Sequence, residues 1–392
     1  MSGTEARQWT IAETHCLVKT KTESGSKLVN NYLLLHTLGQ GRFGNVKLCE
    51  RIANDGSSSS TTETGQSVSN ATIPKDNVTS ASTALPAFAP QKTRLFAMKI
   101  FSKRKLRRLK DYRIKKQVND SALKADTAIM RMHFVTTALD RVYEEIKIMR
   151  SLYHRNIVLL FEVIDAADES DKLYMVLEYM AAGPCMVYRP SSKDFVSRVT
   201  GGVLGEDLAR SYLSDILYGL QYLHQRHICH RDIKPENILL CASGRCHITD
   251  FGCAKQCFND RTASDAILTD PRSLKRILLS DTVGTYQFFA PECCYGEPYD
   301  PFKVDIWAVG IVFFLFLFGK LPYASENIQQ LFDEISRSTL TLPTTELSHS
   351  PECQNLLHRL LQKDPNQRIT IEEALCHPWF TLVEDVAELL SF

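Results

Sequence analysis

The run His230-Arg231-Asp232-Ile233-Lys234-Pro235-Glu236-Asn237, with Asp250-Phe251-Gly252 starting thirteen residues after Asn237, constrains this chain more than any other feature. Within one short span it sets a carboxylate for a substrate hydroxyl, a cation, an amide oxygen suited to a metal and a second carboxylate close by. That combination is suited to moving a γ-phosphoryl group.

A second set of residues precedes it in the matching order. Gly39-Gln40-Gly41-Arg42-Phe43-Gly44-Asn45-Val46 is a weak signal alone, but a lysine in an apolar run follows it, Phe96-Ala97-Met98-Lys99-Ile100. Glycines let backbone N–H groups close over phosphates where side chains would block the approach.

The bulk numbers leave room for such a site and exclude several others. With 392 residues, 44% hydrophobic and 23% charged, the chain is long enough for two lobes around a cleft. A net charge of +1 provides no broad basic field for nucleic acid. The 12 cysteines show no paired zinc spacing and read as reduced thiols, which with the lack of a secretory signature points to the cytoplasm, with the nucleus also open. The apolar run from Ala308 to Phe318 is shorter than the roughly 20 residues that cross a bilayer, so a buried core helix is expected and no membrane span.

Along the chain, 1–30 is polar and reads as a flexible leader, 31–180 as a small lobe, 181–382 as a larger helical lobe and 383–392 as a short acidic tail. The small lobe has two insertions. Residues 54–90 are rich in Ser, Thr, Ala and Gly and read as a disordered loop, whereas 102–138 opens with nine Lys and Arg residues against the single Asp111. That basic stretch is either a solvated helix face or a docking arm for an acidic partner. Leu139, Val142, Ile146 and Met149 then mark one helix stripe with Glu145 at its edge, and Leu208, Tyr212, Ile216, Leu220 and Leu223 mark a long helix before the central loop. A strand-rich part followed by a helical part is an α+β arrangement.

From Tyr32 to Phe380 these motifs resemble the eukaryotic protein kinases, and the resemblance implies their bilobal fold and their roles. Adenine would lie against Leu38, Val46, Ala97 and Leu239, with backbone groups of Glu178 and Met180 reading its edge. Gly39, Gln40, Gly41 and Gly44 would cover the phosphates of ATP, and Lys99, paired with Glu145, would contact them. Asp232 would orient the substrate hydroxyl and accept its proton, Lys234 would neutralise the transferring group, and Asn237 with Asp250 would hold Mg²⁺. Because none of these is replaced, a non-catalytic scaffold is disfavoured. Lys234 and Thr285 resemble the serine/threonine class.

Arg141-Val142-Tyr143-Glu144-Glu145-Ile146 and Gly183-Pro184 look like calcium/calmodulin-dependent kinase kinases. Ala290-Pro291-Glu292-Cys293-Cys294 and Lys363 to Arg368 are similar to the plant kinases that activate AMP-activated-type kinases. Both likenesses imply protein substrates that are themselves kinases; a serine/threonine kinase with unrelated substrates is the alternative. The acidic segment Val383 to Glu388 does not resemble the basic amphipathic helix that calmodulin takes, so calmodulin is not an expected partner. Three residues before Gly284 stands Asp281, next to Thr282, where many kinases place a phosphate that pairs with the arginine here numbered Arg231; a carboxylate there would partly replace that phosphate.

Overall fold

The computed structural model describes residues 11–22, 25–41, 44–52, 95–115, 132–166, 170–257, 278–281, 283–343 and 349–381, with the backbone alone for 111–115, 132–135 and 381. The expected loop 54–90, the middle of the second insertion, the segment 258–277, Thr282 and the acidic tail lie outside the described residues. Two compact units emerge, Met1–Leu109 with Leu160–Tyr179, and Lys110–Leu159 with Met180–Phe392.

The first unit is built on eight strands, labelled in chain order: β1 (Ala12–Thr14), β2 (Lys19–Lys21), β3 (Lys27–Val29), β4 (Tyr32–Gln40), β5 (Gly44–Arg51), β6 (Leu95–Ser102), β9 (Leu160–Asp165) and β10 (Lys172–Glu178). Their spatial order is β1-β9-β10-β6-β5-β4-β3-β2. Alternation sends Phe96 and Met98 of β6 into a core with Val29, Tyr32, Cys49, Ile164, Tyr174 and Val176, while Ala97 and Lys99 take the other face. Tyr32 and Phe161 meet Phe96 edge-on at 5.9 and 5.1 Å.

Part of the leader expected to be flexible is therefore sheet. β1 runs parallel to β9, and β2 and β3 form a hairpin beside β4. Only four residues lie between Thr14 and Lys19, five steps of at most about 18 Å of chain, yet seven strand spacings of about 4.8 Å separate β1 from β2 across the sheet. The sheet must curl until its two edges approach each other. Consistent with this, Lys19 on β2 donates to Ser170 Oγ at 3.3 Å and sits 5.9 Å from the ring of Tyr174 on β10.

The basic stretch begins with α1 (Lys103–Arg108), capped by Ser102, whose hydroxyl accepts from Lys105 N. Lys103 is not a solvated arm: it is 2% exposed and binds Asp165 at 2.8 Å and the Ala166 carbonyl at 3.2 Å. Arg104, Lys105, Arg107 and Arg108 remain exposed.

In the second unit, β7 (Lys110–Lys115) pairs antiparallel with β8 (Met132–Thr137), which leads into α2 (Ala138–Arg150). Thr137 and Asp140 form a reciprocal capping box there. The stripe Leu139, Val142, Ile146 and Met149 is buried; Glu145 is buried beside it, whereas Glu144 is exposed. Short strands follow: β11 (Gly183–Pro184), β12 (Val187–Arg189), β13 (Asp194–Val196), β14 (Ile228–Cys229), β15 (Ile238–Leu240), β16 (Cys246–Ile248) and β17 (Lys255–Gln256). They pair as β11-β15-β16, β12-β13 and β14-β17.

Helices α3 (Glu206–Gln225), α4 (Pro301–Phe318), α5 (Ile328–Arg337), α6 (Pro351–Leu360), α7 (Ile371–Leu375) and α8 (Pro378–Thr381) supply the rest. α4 holds the apolar run and is a core helix, 89% buried over its apolar window. Asp300 caps its start and Gly319, at φ 66°, ends it.

Candidate active site

α4 brings one carboxylate to bear on the central loop. Asp305, fully buried, accepts from His230 N at 2.9 Å and Arg231 N at 2.7 Å, and His224 Nε2 lies 2.9 Å from its Oδ2. These bonds hold Arg231 at φ 65°, a left-handed conformation that a long side chain adopts only under outside constraint. His230 Nε2 meets the Thr249 carbonyl at 3.0 Å, which ties the loop to the strand leading into Asp250.

Beyond that brace, the side chains converge. Asp232 Oδ2 accepts from Lys234 Nζ at 2.7 Å and from Asn237 Nδ2 at 3.1 Å, while its Oδ1 accepts from Thr285 Oγ1 at 2.8 Å. Lys234 Nζ also donates to Thr285 Oγ1 at 2.8 Å, closing a triangle of carboxylate, ammonium and hydroxyl. Asn237 Nδ2 further donates to the Asp232 carbonyl at 2.8 Å, so the amide orientation is fixed by the chain it serves.

Asp250 is itself left-handed at φ 62° and opens the 3-10 turn Phe251–Cys253. A β-carbon on Gly252 would lie 3.5 Å from Asp250 Oδ1 and 3.6 Å from Glu145 Oε2, so both carboxylates flank that glycine. Cys253 follows: burial and then Asp232 push its thiol pKa up, with Arg231 and Lys234 pulling against them. A raised pKa leaves a smaller share of it as the nucleophilic thiolate.

Arg231 reaches the other way. Its Nε donates to the Cys253 carbonyl at 2.7 Å and its Nη1 lies 3.1 Å from Asp281 Oδ1. Burial works against the guanidinium charge, yet Asp281 and its neighbours carry its pKa above the ordinary value. Asp281 is pinned in turn, because Tyr299 Oη donates to its carbonyl at 2.7 Å and Leu279 and Tyr299 exchange backbone hydrogen bonds. Arg368 binds Glu292 at 2.6 and 2.9 Å, which anchors Ala290-Pro291-Glu292.

The remaining expected residues lie in the first unit, Met180 and Leu239 excepted. Register sets Val46 beside Lys99 and Leu48 beside Ala97, so Val46, Ala97 and Lys99 share one face of the sheet. Gly41 N donates to the Gly44 carbonyl at 2.8 Å, closing the hairpin between β4 and β5, and Gln40 pairs with Asn45. Leu38 and Gly39 are exposed near the end of β4, and Glu178 ends β10. Gly44 is required by the sheet itself: a β-carbon there would come within 2.3 Å of the Ile100 carbonyl on the next strand. Gly39 and Gly41 meet no such obstacle. Met180 is buried and Leu239 is half-buried in β15, both in the second unit.

Sequence reasoning took Thr285 only as a marker of substrate class; its bridging of Asp232 and Lys234 shows only when the segment is folded back onto the loop. His224 and Tyr299 likewise gave no signal, since the part each plays shows only in its folded contact, with Asp305 for His224 and with the Asp281 carbonyl for Tyr299.

Over residues 80–380 the chain matches the family described as Protein kinase domain. It is 31% identical over 380 residues to serine/threonine-protein kinase GRIK1 of Arabidopsis thaliana, covering 97% of this chain and 74% of that protein. It is similarly 32% identical over 380 residues to GRIK2 of the same plant, covering 96% and 72%. With serine/threonine-protein kinase TOS3 of Saccharomyces cerevisiae it shares 36% over 252 residues, 61% of this chain and 44% of that one. The chain belongs to the protein kinase family. More narrowly, it is an ATP-dependent kinase of the serine/threonine class, acting on protein substrates.

Proposed function

We propose that this kinase transfers the ATP γ-phosphoryl group to a serine or threonine on another protein kinase, in an activation segment of the AMP-activated or calmodulin-dependent type. The chemistry rests on one observation, the triangle of Asp232, Lys234 and Thr285. Asp232 Oδ1 accepts only the Thr285 bond and keeps a lone pair, so a substrate hydroxyl can donate to it and pass on its proton as the phosphorus is attacked. Lys234, already beside that carboxylate, offsets charge on the moving group. Lys99 contacts the nucleotide phosphates in this reading, with Glu145 as its partner.

Mg²⁺ fits the donor set. The Asn237 amide nitrogen is committed to Asp232, which leaves its oxygen for a hard cation, and the Asp250 carboxylate supplies a second oxygen. When bound, the ion neutralises phosphate charge. The choice of kinases as substrates is supported by the local likenesses noted in the sequence and by similarity running along 97% of this chain to a plant serine/threonine kinase. A cytoplasmic or nuclear setting accords with the free thiols, and a fluorescent fusion would test it.

The test is phosphate transfer to an inactive AMP-activated-type kinase domain against a generic basic peptide, with site mapping. Wild type should strongly prefer the kinase domain and label its activation segment. Asp232→Asn should lose about a thousandfold in turnover. Equal use of the two substrates would leave a serine/threonine kinase with other targets.

The Arg231–Asp281 pair supports a regulatory reading as well: a fixed carboxylate holds the catalytic-loop arginine without a phosphate. Phosphatase-treated wild type should then turn over at an appreciable rate, and Asp281→Asn should depress it. Activity that appears only once Thr282 is phosphorylated would refute this.

A further inference from the structure

β14 and β17 carry two thiols that the phosphoryl chemistry does not use. Cys229 pairs with Lys255 in register, and Cys257 N donates to the His227 carbonyl at 2.7 Å, so the two cysteines lie diagonally across one two-stranded ribbon. Their sulfurs are 3.2 Å apart. Both also face the Lys255 carbonyl, at 3.3 Å from Cys229 Sγ and 3.7 Å from Cys257 Sγ. A disulfide needs about 2.05 Å, so closing the gap takes a shift of about 1.2 Å, within reach of side-chain rotation.

The two sulfurs are chemically unequal. Cys229 is fully buried and Cys257 is 7% exposed. Among the cysteines with a shifted thiol, Cys257 alone moves below its ordinary pKa: the Cys229 hydrogen bond leads, and Lys255 and Arg231 add to it against burial. Burial drives Cys229 well above its ordinary value. Exposure decides the order of reaction: Cys257 is the thiol a peroxide can reach and is the attacking one, and Cys229 behind it is the resolving thiol.

We infer that Cys229 and Cys257 form a modification site, a dithiol that a hydroperoxide converts to an internal disulfide. In the first step Cys257 thiolate attacks a peroxide oxygen; the O–O bond breaks, Cys257 becomes a sulfenic acid, and the leaving oxyanion takes up a proton to depart as water or an alcohol. In the second, Cys229 gives up its proton and attacks the Cys257 sulfur; the S–S bond forms, the S–O bond breaks, and hydroxide leaves with that proton as water. Two thiols are oxidised by two electrons in all, and one hydroperoxide is reduced.

The position gives the bond a consequence. Cys229 immediately precedes His230-Arg231-Asp232, and Cys257 lies seven residues beyond Asp250. The cross-link would fasten the strand entering the catalytic loop to the strand leaving the metal-binding motif. A shift of about 1 Å in positioned groups can cost roughly a hundredfold in rate.

Trypsin makes the test direct, because it releases Cys229 in peptide 227–231 and Cys257 in peptide 256–261, each with a single cysteine. Full-length protein treated with hydrogen peroxide and digested without reductant should yield these two peptides joined, lighter than their sum by two hydrogens. Dithiothreitol should separate them. In Cys229→Ser, which has no resolving thiol, dimedone should label Cys257. Recovery of Cys257 as a free thiol or a sulfinic acid, or joined to a different cysteine, while other thiols oxidise, would overturn the proposal. Mapping needs no turnover, so it stands apart from the kinase reading. Phosphotransfer assayed in parallel should fall roughly tenfold or more and recover with reductant; an oxidised chain as fast as the reduced one would overturn the coupling to the site.

Discussion

A β-carbon at Gly284 would lie 2.6 Å from the Arg231 carbonyl and 3.5 Å from Asp232 Oδ1, at a φ of 114° that other residues rarely adopt. Gly284→Ala should therefore push the segment off the catalytic loop, costing about 1–3 kcal/mol of stability along with a clear loss of turnover. Thermal unfolding and kcat measured on one preparation would show it; unchanged values would mean that the segment relaxes freely. Thr285 is the neighbouring case. Thr285→Ser keeps the hydroxyl between Asp232 and Lys234 and should keep most activity, whereas Thr285→Val should lower kcat roughly tenfold or more with little effect on KM for ATP. Asp232, Lys234, Asn237 and Asp250 were readable from the sequence because the chemistry dictates both residue type and spacing. Thr285's contacts were not, because they depend on how a distant segment folds back.

Elements show the same division. α2, α3 and α4 were legible because long apolar stripes or runs declare a buried face, as Val142, Ile216 and Phe313 do. β1, β2 and β3 were not, since three-residue strands of mixed polarity such as Lys19–Lys21 carry no period. Lys103 read as part of a basic run, yet Asp165, far along the chain, draws it inside. At the segment's far end, buried Arg368 donates to Glu292 and to the carbonyls of Gln362, Lys303 and Lys363. Lysine cannot reproduce that planar fork. Arg368→Lys should cost about 3 kcal/mol, the scale of breaking a buried pair, read as a lower urea midpoint with an unchanged slope. The capping box predicts a smaller effect, about 1 kcal/mol for Thr137→Ala.

At the scale of the whole molecule, burial keeps His154, His247 and His377 from taking up a proton readily. Burial first, then nearby arginines, pushes His154 down to about 4, and burial likewise lowers His247 and His377. Their folded pKa values lie below the unfolded one, so the unfolded chain gains protons first as pH falls. The stability they carry is complete above about pH 6.5 and, for His154, is lost between there and about pH 4. Melting temperature should decline over that window, less steeply in His154→Gln. The curled sheet also gives the opening residues a job out of proportion to their size. Because β1 and β2 close opposite margins of one sheet, the leader acts as a clasp. A chain started at residue 31 would bare the backbone of β9 on one side and β4 on the other, two open templates for pairing with further copies. Such a shortened kinase should self-associate in light scattering at concentrations where the full chain stays monodisperse.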